Sequence, residues 1–149
     1  MISTFLTFEK NGKEAIEFYA SIFNDLKINS IMTAPDSEYL VFASFTIGSA
    51  NYMAMDGGEY FKFSDAVSLY VDCKDQAEVD YYWSKLGKDG KPGQCGWLKD
   101  KYGLSWQIIP KTLGTLMSNP DQIKVARVRN AMLKMNKIIV RDLEEAYKG

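Results

Sequence analysis

Two hydrophobic periods run through this chain. A period of two marks Tyr39 to Ile47, where Tyr39, Val41, Ala43, Phe45 and Ile47 alternate, and Ala66 to Cys73, where Val67, Leu69 and Val71 alternate with Ser68, Tyr70 and Asp72. Alternation at this period sends successive side chains to opposite faces and predicts strands. Shorter strand-like runs cover Ser3 to Phe8, Lys27 to Thr33, Asn51 to Met55, Cys95 to Leu98 and Tyr102 to Ile109. A helical period appears in Ala15, Ile16, Tyr19, Ile22 and Phe23, and again in Val79, Tyr82, Trp83 and Leu86. A third helical stretch carries Val125, Val128, Met132 and Met135, then Ile139, Leu143 and Ala146 after a break near Asn136.

The first two helical stretches are copies of one another. Asn11-Gly-Lys-Glu14 recurs as Asp75-Gln-Ala-Glu78, 64 residues on, and Phe18-Tyr19 recurs as Tyr82-Trp83. A cap-type residue followed three positions later by Glu is a variant of the capping box, so both segments are expected to start helices. With the strands around them, the pattern reads as two β-α-β-β-β units, the second abbreviated by the turn-rich Lys88-Asp-Gly-Lys-Pro-Gly93. The expected organisation is one domain of two repeats, about 1–58 and 64–110, with a helical tail 111–149.

At 149 residues and 46% apolar content the chain has the size of one ordinary domain. Eighteen basic residues against nineteen acidic ones, with no long block of either sign, do not make a nucleic-acid-binding surface. Met1 to Phe8 lacks the basic lead of a secretory signal, and the longest charge-free run, Tyr39 to Met55, is broken at Gly48-Ser49, so neither a membrane span nor export is expected and the location reads as cytoplasmic. Two cysteines, Cys73 and Cys95, show no zinc or disulfide spacing. Histidine is missing altogether, which removes Ser-His-Asp and Cys-His nucleophile systems and all imidazole metal sites.

The duplicated unit, with Phe18-Tyr19 closing the first helix, the segment Cys95-Gly-Trp-Leu-Lys-Asp-Lys-Tyr-Gly-Leu-Ser-Trp-Gln-Ile-Ile-Pro110 and the ending Arg127-Val-Arg-Asn-Ala-Met-Leu-Lys-Met135, resembles the vicinal oxygen chelate superfamily of glyoxalases, bleomycin resistance proteins and dioxygenases. Within it the chain looks like the PhnB-like branch, labelled 3-demethylubiquinone methyltransferase. The resemblance implies an α+β fold in which two β-α-β-β-β modules form a curved mixed sheet, here with added C-terminal helices. It also implies a cup, which in the superfamily's enzymes holds a divalent metal on His, Glu or Gln.

Carried over by position, the ligand places fall near Thr4, Ser68, Gln107 and the stretch Tyr52 to Ala54. Hydroxyls and one amide are a poor donor set for a transition metal, which wants imidazole, thiolate or carboxylate. No metal and no cofactor is therefore expected there, although Asp56, Asp72 or Glu59 could give a weaker magnesium or calcium contact. A methyltransferase using S-adenosylmethionine would show a glycine-rich turn leading into a helix, whereas Asp56-Gly57-Gly58 runs into Glu59-Tyr-Phe-Lys-Phe63. The surviving pocket would be lined by Thr4, Ser68, Tyr70 and Gln107, with aromatic walls from Tyr52 and Trp97. Cys95 is taken as a further ligand-binding residue of that pocket; the sequence offers Lys99 and Lys101, but no histidine, to activate its thiol.

Three functions follow as expectations. The first is a metal-independent protein that binds a small molecule. The second is an enzyme, either a metal-dependent lyase, isomerase or dioxygenase, or the methyltransferase of the branch's label. The third is a module built chiefly to form a homodimer, its contact widened by the Met-rich tail.

Overall fold

The computed structural model describes residues 2–149, which divide into two compact units, one ending at Phe63 and the other spanning Ser64–Gly149. In the first, strand β1 (Thr4–Phe8) is followed by helix α1 (Gly12–Ala20) and by strands β2 (Leu26–Thr33), β3 (Leu40–Ile47) and β4 (Ala50–Asp56). In the second, strand β5 (Leu69–Cys73), helix α2 (Gln76–Leu86) and strands β6 (Lys91–Pro92), β7 (Trp97–Lys99) and β8 (Ser105–Pro110) repeat that order. Three helices complete the chain: α3 (Lys111–Met117), α4 (Gln122–Met132) and α5 (Val140–Lys148).

Each unit makes its own four-stranded mixed sheet, ordered β1-β4-β3-β2 and β5-β8-β7-β6. The first strand of each unit pairs in parallel with the last, and the other pairings are antiparallel. The α+β class and the duplicated β-α-β-β-β unit expected from the sequence are thus present, and β6 and β7 are the abbreviated strands. Two of the expected strands, β5 and β8, begin about three residues later than the sequence pattern suggests. Ala66 donates its N–H to Ser64 Oγ in a local turn, and the residues ahead of Ser105 are drawn into a turn around Asp100. That buried carboxylate accepts from the backbone of Tyr102 and Leu104 and from the Trp106 indole at 2.8–3.1 Å.

In the first unit α1 lays Ala15, Ile16 and Tyr19 on Leu6, Phe8, Ala43, Phe45 and Ala54, all buried. Its start departs from the expected capping box. Asn11 adopts a left-handed backbone (φ 67°) and its side chain caps nothing. The cap comes from β4 instead: Asp56 Oδ1 accepts the Gly12 N–H and Oδ2 the Leu40 N–H, both at 2.8 Å, with 2% of the residue exposed. Gly12 has to be glycine, because a Cβ there would sit 2.7 Å from Asp56 Oδ1. The second helix follows expectation, with Asp75 Oδ1 accepting from the Glu78 N–H at 3.0 Å.

Beneath α2 lie Cys73, Leu98, Trp106 and Ile108, met by Val79 and Leu86 from the helix. Tyr82 and Trp83, read as part of the same stripe, are only half-buried. The tail has a core of its own, in which Leu113, Val128, Ile138 and Leu143 close on Ile109 of β8, with Met132, Met135 and Tyr147 packed around them. Its break is where the sequence suggested, between Met132 and Val140, but Ile138 rather than Ile139 enters the core. Backbone bonds tie the tail to the sheet, Cys95 N–H to Met135 O at 2.8 Å and Gly96 N–H to Asn136 O at 2.7 Å. The Gln76 amide adds two more, accepting from the Val140 N–H and donating to Ile138 O. No helix among the described residues is long and apolar enough to cross a membrane.

Candidate functional site

Strand alternation in the second unit separates a covered face from an open one. Trp106 and Ile108 turn toward α2 and are buried, so Ser105, Gln107 and Ile109 turn the other way, with Ile109 taken up by the tail. Gln107 is in register with Tyr70 of β5 on one side and with Trp97 of β7 on the other. Its Nε2 donates to Ser68 Oγ at 2.9 Å. Four of the residues singled out in the sequence, Ser68, Tyr70, Trp97 and Gln107, therefore form one row on the open face.

Thr4 and Tyr52 are placed differently. They are register partners in the first unit, but Thr4 shares its strand face with Leu6 and Phe8, the residues under α1. The Tyr52 ring stacks on Phe45 at 5.1 Å and 12°, and partial burial there raises its phenol above the ordinary value. The cause is a loop length. From strand end to helix cap the chain runs Phe8 to Asn11 in the first unit and Cys73 to Asp75 in the second, one residue shorter. Aligning the helices at 64 residues thus misaligns the strands by one, and a shift of one exchanges the faces. The first unit's residues on the face turned from α1 are Phe5 and Thr7 of β1, with Met53 and Met55 of β4.

Cys95 stands apart from the row. Its backbone is left-handed (φ 57°), its N–H is held by the tail, and its Sγ lies 3.7 Å from Met132 O. The other thiol, Cys73, is fully buried, and burial first, then the carboxylates of Glu78, Asp72 and Asp75, push it up to about 12. The surroundings of Cys73 are the reverse of those that activate a thiolate.

Beside Trp97 the open face deepens into a cleft of about 320 Å³, with Asp65, Lys91, Gly93, Lys99 and Ser105 among its walls. Lys99 is paired with Asp65 at 2.7 Å, and its hydrogen bond holds the Asp65 carboxyl below the usual carboxylate range. Asp65, Lys91 and Ser105 are not among the residues singled out from the sequence. What would have signalled them is the alternation Trp97-Leu98-Lys99 read against its hairpin partner, because Lys91 faces Lys99 across β6 and β7.

The residues present do not fit a transition metal. Ser68 and Gln107 offer a hydroxyl and an amide bonded to each other, and among the described residues no three His, Cys, Asp or Glu side chains converge. Asp56, considered for a weaker cation, spends both oxygens on backbone amides; Asp72 pairs with Lys111 at 3.8 Å. S-adenosylmethionine fits no better at Gly57. A Cβ there would lie 2.5 Å from Thr7 and 2.6 Å from Phe61, so the glycine serves close packing, and no helix follows before α2.

Residues 1–109 match the family described as 3-demethylubiquinone-9 3-methyltransferase. The chain belongs to that family. Among solved structures, a PhnB protein from Bacillus cereus carrying the same description is 35% identical, with 73% of this chain and 98% of that one covered at a TM-score of 0.68. The protein PA1353 from Pseudomonas aeruginosa is 20% identical over 74% of this chain and 96% of its own, at 0.62. The fosfomycin resistance protein FosX from Mesorhizobium loti, 17% identical over 71% and 86% at 0.52, shares the fold. No curated protein matches. The PhnB-like assignment within the vicinal oxygen chelate superfamily therefore stands, but the family match ends before the tail, so Arg127 to Met135 lies outside it.

Proposed function

We propose that this PhnB-like chain is a metal-independent binding protein for a small organic molecule, acting as a cytoplasmic homodimer. The observation that carries the reading is the Gln107–Ser68 hydrogen bond set between Tyr70 and Trp97. Gln107 keeps its amide oxygen and one N–H for a ligand, and Ser68 keeps its hydroxyl proton, while the flanking rings supply apolar surface. Such a set recognises shape and hydrogen-bond pattern; it lacks the imidazole or thiolate that would activate water. Tyr70 is 59% exposed, which leaves it accessible to a ligand arriving from solvent. The two units and the tail are taken as one functional domain, and the homodimer rests on the superfamily resemblance, with Ile123 and Leu133 of the tail as exposed apolar contacts.

Methyl transfer is the competing reading, favoured by the family match over residues 1–109. Native mass spectrometry of protein purified without chelators separates the two. A metal-free dimer retaining an organic molecule is the expected result. One metal per subunit, or retained S-adenosylmethionine, would overturn the binding reading in favour of an enzyme.

A further inference from the structure

The row formed by Ser68, Tyr70, Gln107 and Trp97 is neutral, but the row beside it is not. Lys91 and Lys99 are direct partners across the antiparallel β6–β7 pair, so their side chains leave the sheet on one face. That is the face of Trp97, two positions before Lys99. Like charges directly opposite each other on neighbouring strands repel. One carboxylate moderates the repulsion: Asp65 pairs with Lys99 at 2.7 Å and also accepts from Ser105 Oγ at 3.3 Å. Asp65 is the one acidic residue among the cleft walls, and it is engaged on the Lys99 side. Lys91 lines the same cleft with no ion pair among the described residues. Two ammonium groups and one carboxylate leave the cleft one positive charge in excess, at the end of an apolar wall made by Trp97.

Gly93 shapes that wall. Its N–H bonds to Trp97 O at 2.8 Å, and a Cβ on Gly93 would lie 3.2 Å from the Trp97 Cβ. With glycine there, no side chain crowds Trp97 from that strand.

We infer that the cleft takes an aromatic or otherwise flat organic anion, its apolar body against Trp97 and its acidic group, a carboxylate, sulfonate or phosphonate, held by Lys91 beside the Lys99–Asp65 pair. The inference rests on the small-molecule reading above and adds the ligand's charge to it. Lys91 provides the charge-assisted bond, Trp97 the contact area, and the Gln107–Ser68 pair the remaining hydrogen bonds.

The test compares two probes with the same ring system, anilinonaphthalenesulfonate, which is anionic, and phenylnaphthylamine, which is neutral. Binding is followed by probe fluorescence and located by fluorine NMR of fluorotryptophan-labelled protein, the Trp97 resonance being assigned with Trp97→Phe. The expected result is a shifted Trp97 resonance and about tenfold tighter binding of the anion. That preference should be lost in Lys91→Gln, kept in Lys91→Arg and weakened by added salt. Equal binding of both probes at Trp97, or a preference that survives Lys91→Gln, would overturn the anion inference and leave the small-molecule reading intact. If neither probe moves the Trp97 resonance, the binding reading fails and this inference with it.

Discussion

Gln107 Nε2 and Ser68 Oγ lie 2.9 Å apart, joining the middle of β8 to the residue just ahead of β5 on the face turned from α2. The bond fixes the amide so that its oxygen stays available. Because both groups are only partly buried, breaking the pair is expected to cost about 0.5–1.5 kcal/mol. Ser68→Ala and Gln107→Ala should each show that loss in urea unfolding, and the double variant should lose less than their sum. Additive losses would mean that the two side chains do not support one another.

Face assignment leads to a second expectation. Ser68→Ala and Gln107→Ala should weaken binding of whatever molecule co-purifies, whereas Thr4→Ala and Tyr52→Phe should leave it at the wild-type level. Native mass spectrometry of the four variants reads the retained fraction directly. Equal loss in Thr4→Ala would restore the position that a simple count from the helix caps assigns to it.

Asp56 is a stability residue. Asp56→Ala leaves the Gly12 and Leu40 N–H groups buried without their acceptor, at about 1–3 kcal/mol each, so a loss of about 2–6 kcal/mol is expected in denaturant unfolding. The first unit should respond most, with faster amide exchange at the start of α1.

The Cys73 thiol gives the stability curve an alkaline slope. Its folded value, about 12, lies above that of a free thiol, so the unfolded chain releases the proton first as pH rises. The stabilisation is complete below about pH 8.5 and declines by about 1.4 kcal/mol per pH unit toward 12. Unfolding measured at pH 8 and at about pH 10 should differ more for the wild type than for Cys73→Ala; parallel curves would show the thiol to be uncoupled from folding.

Gln76 anchors the tail through one side chain that serves Ile138 O and the Val140 N–H. Gln76→Ala should lower stability by about 1–2 kcal/mol and raise hydrogen exchange between Ile138 and the first turn of α5. A uniform rise over the whole chain would place the loss in global stability instead.

Much of the fold can be read from the chain because its two hydrophobic periods are strong and each unit buries one sheet face under one helix. Local chemistry was readable where partners are near in sequence, as with Asp75 and Glu78. It failed at Asn11, whose place as cap is filled by the Asp56 carboxylate, 44 residues on from the Gly12 N–H that it accepts. Helix α3 falls inside the helical tail expected over 111–149, but its own spacing, Leu113, Leu116 and Met117, is too short at seven residues to stand out as a separate helix. The candidate site could be read only in part. Gln107, Ser68, Tyr70 and Trp97 share a face that alternation alone predicts, whereas Lys91 enters only when hairpin register is known. Cys95, adjacent in sequence to Trp97, is drawn away by a tail whose docking no short window reveals.

The extra residue between Phe8 and Asn11 bears on how two copies of one unit come to differ. The loop absorbs the added residue, so the strand ends Phe8 and Cys73 stay equivalent, each buried beneath its helix. An insertion placed in a connection lengthens the path between two elements without turning either one over, and the two copies keep a common inner side while their joints drift apart.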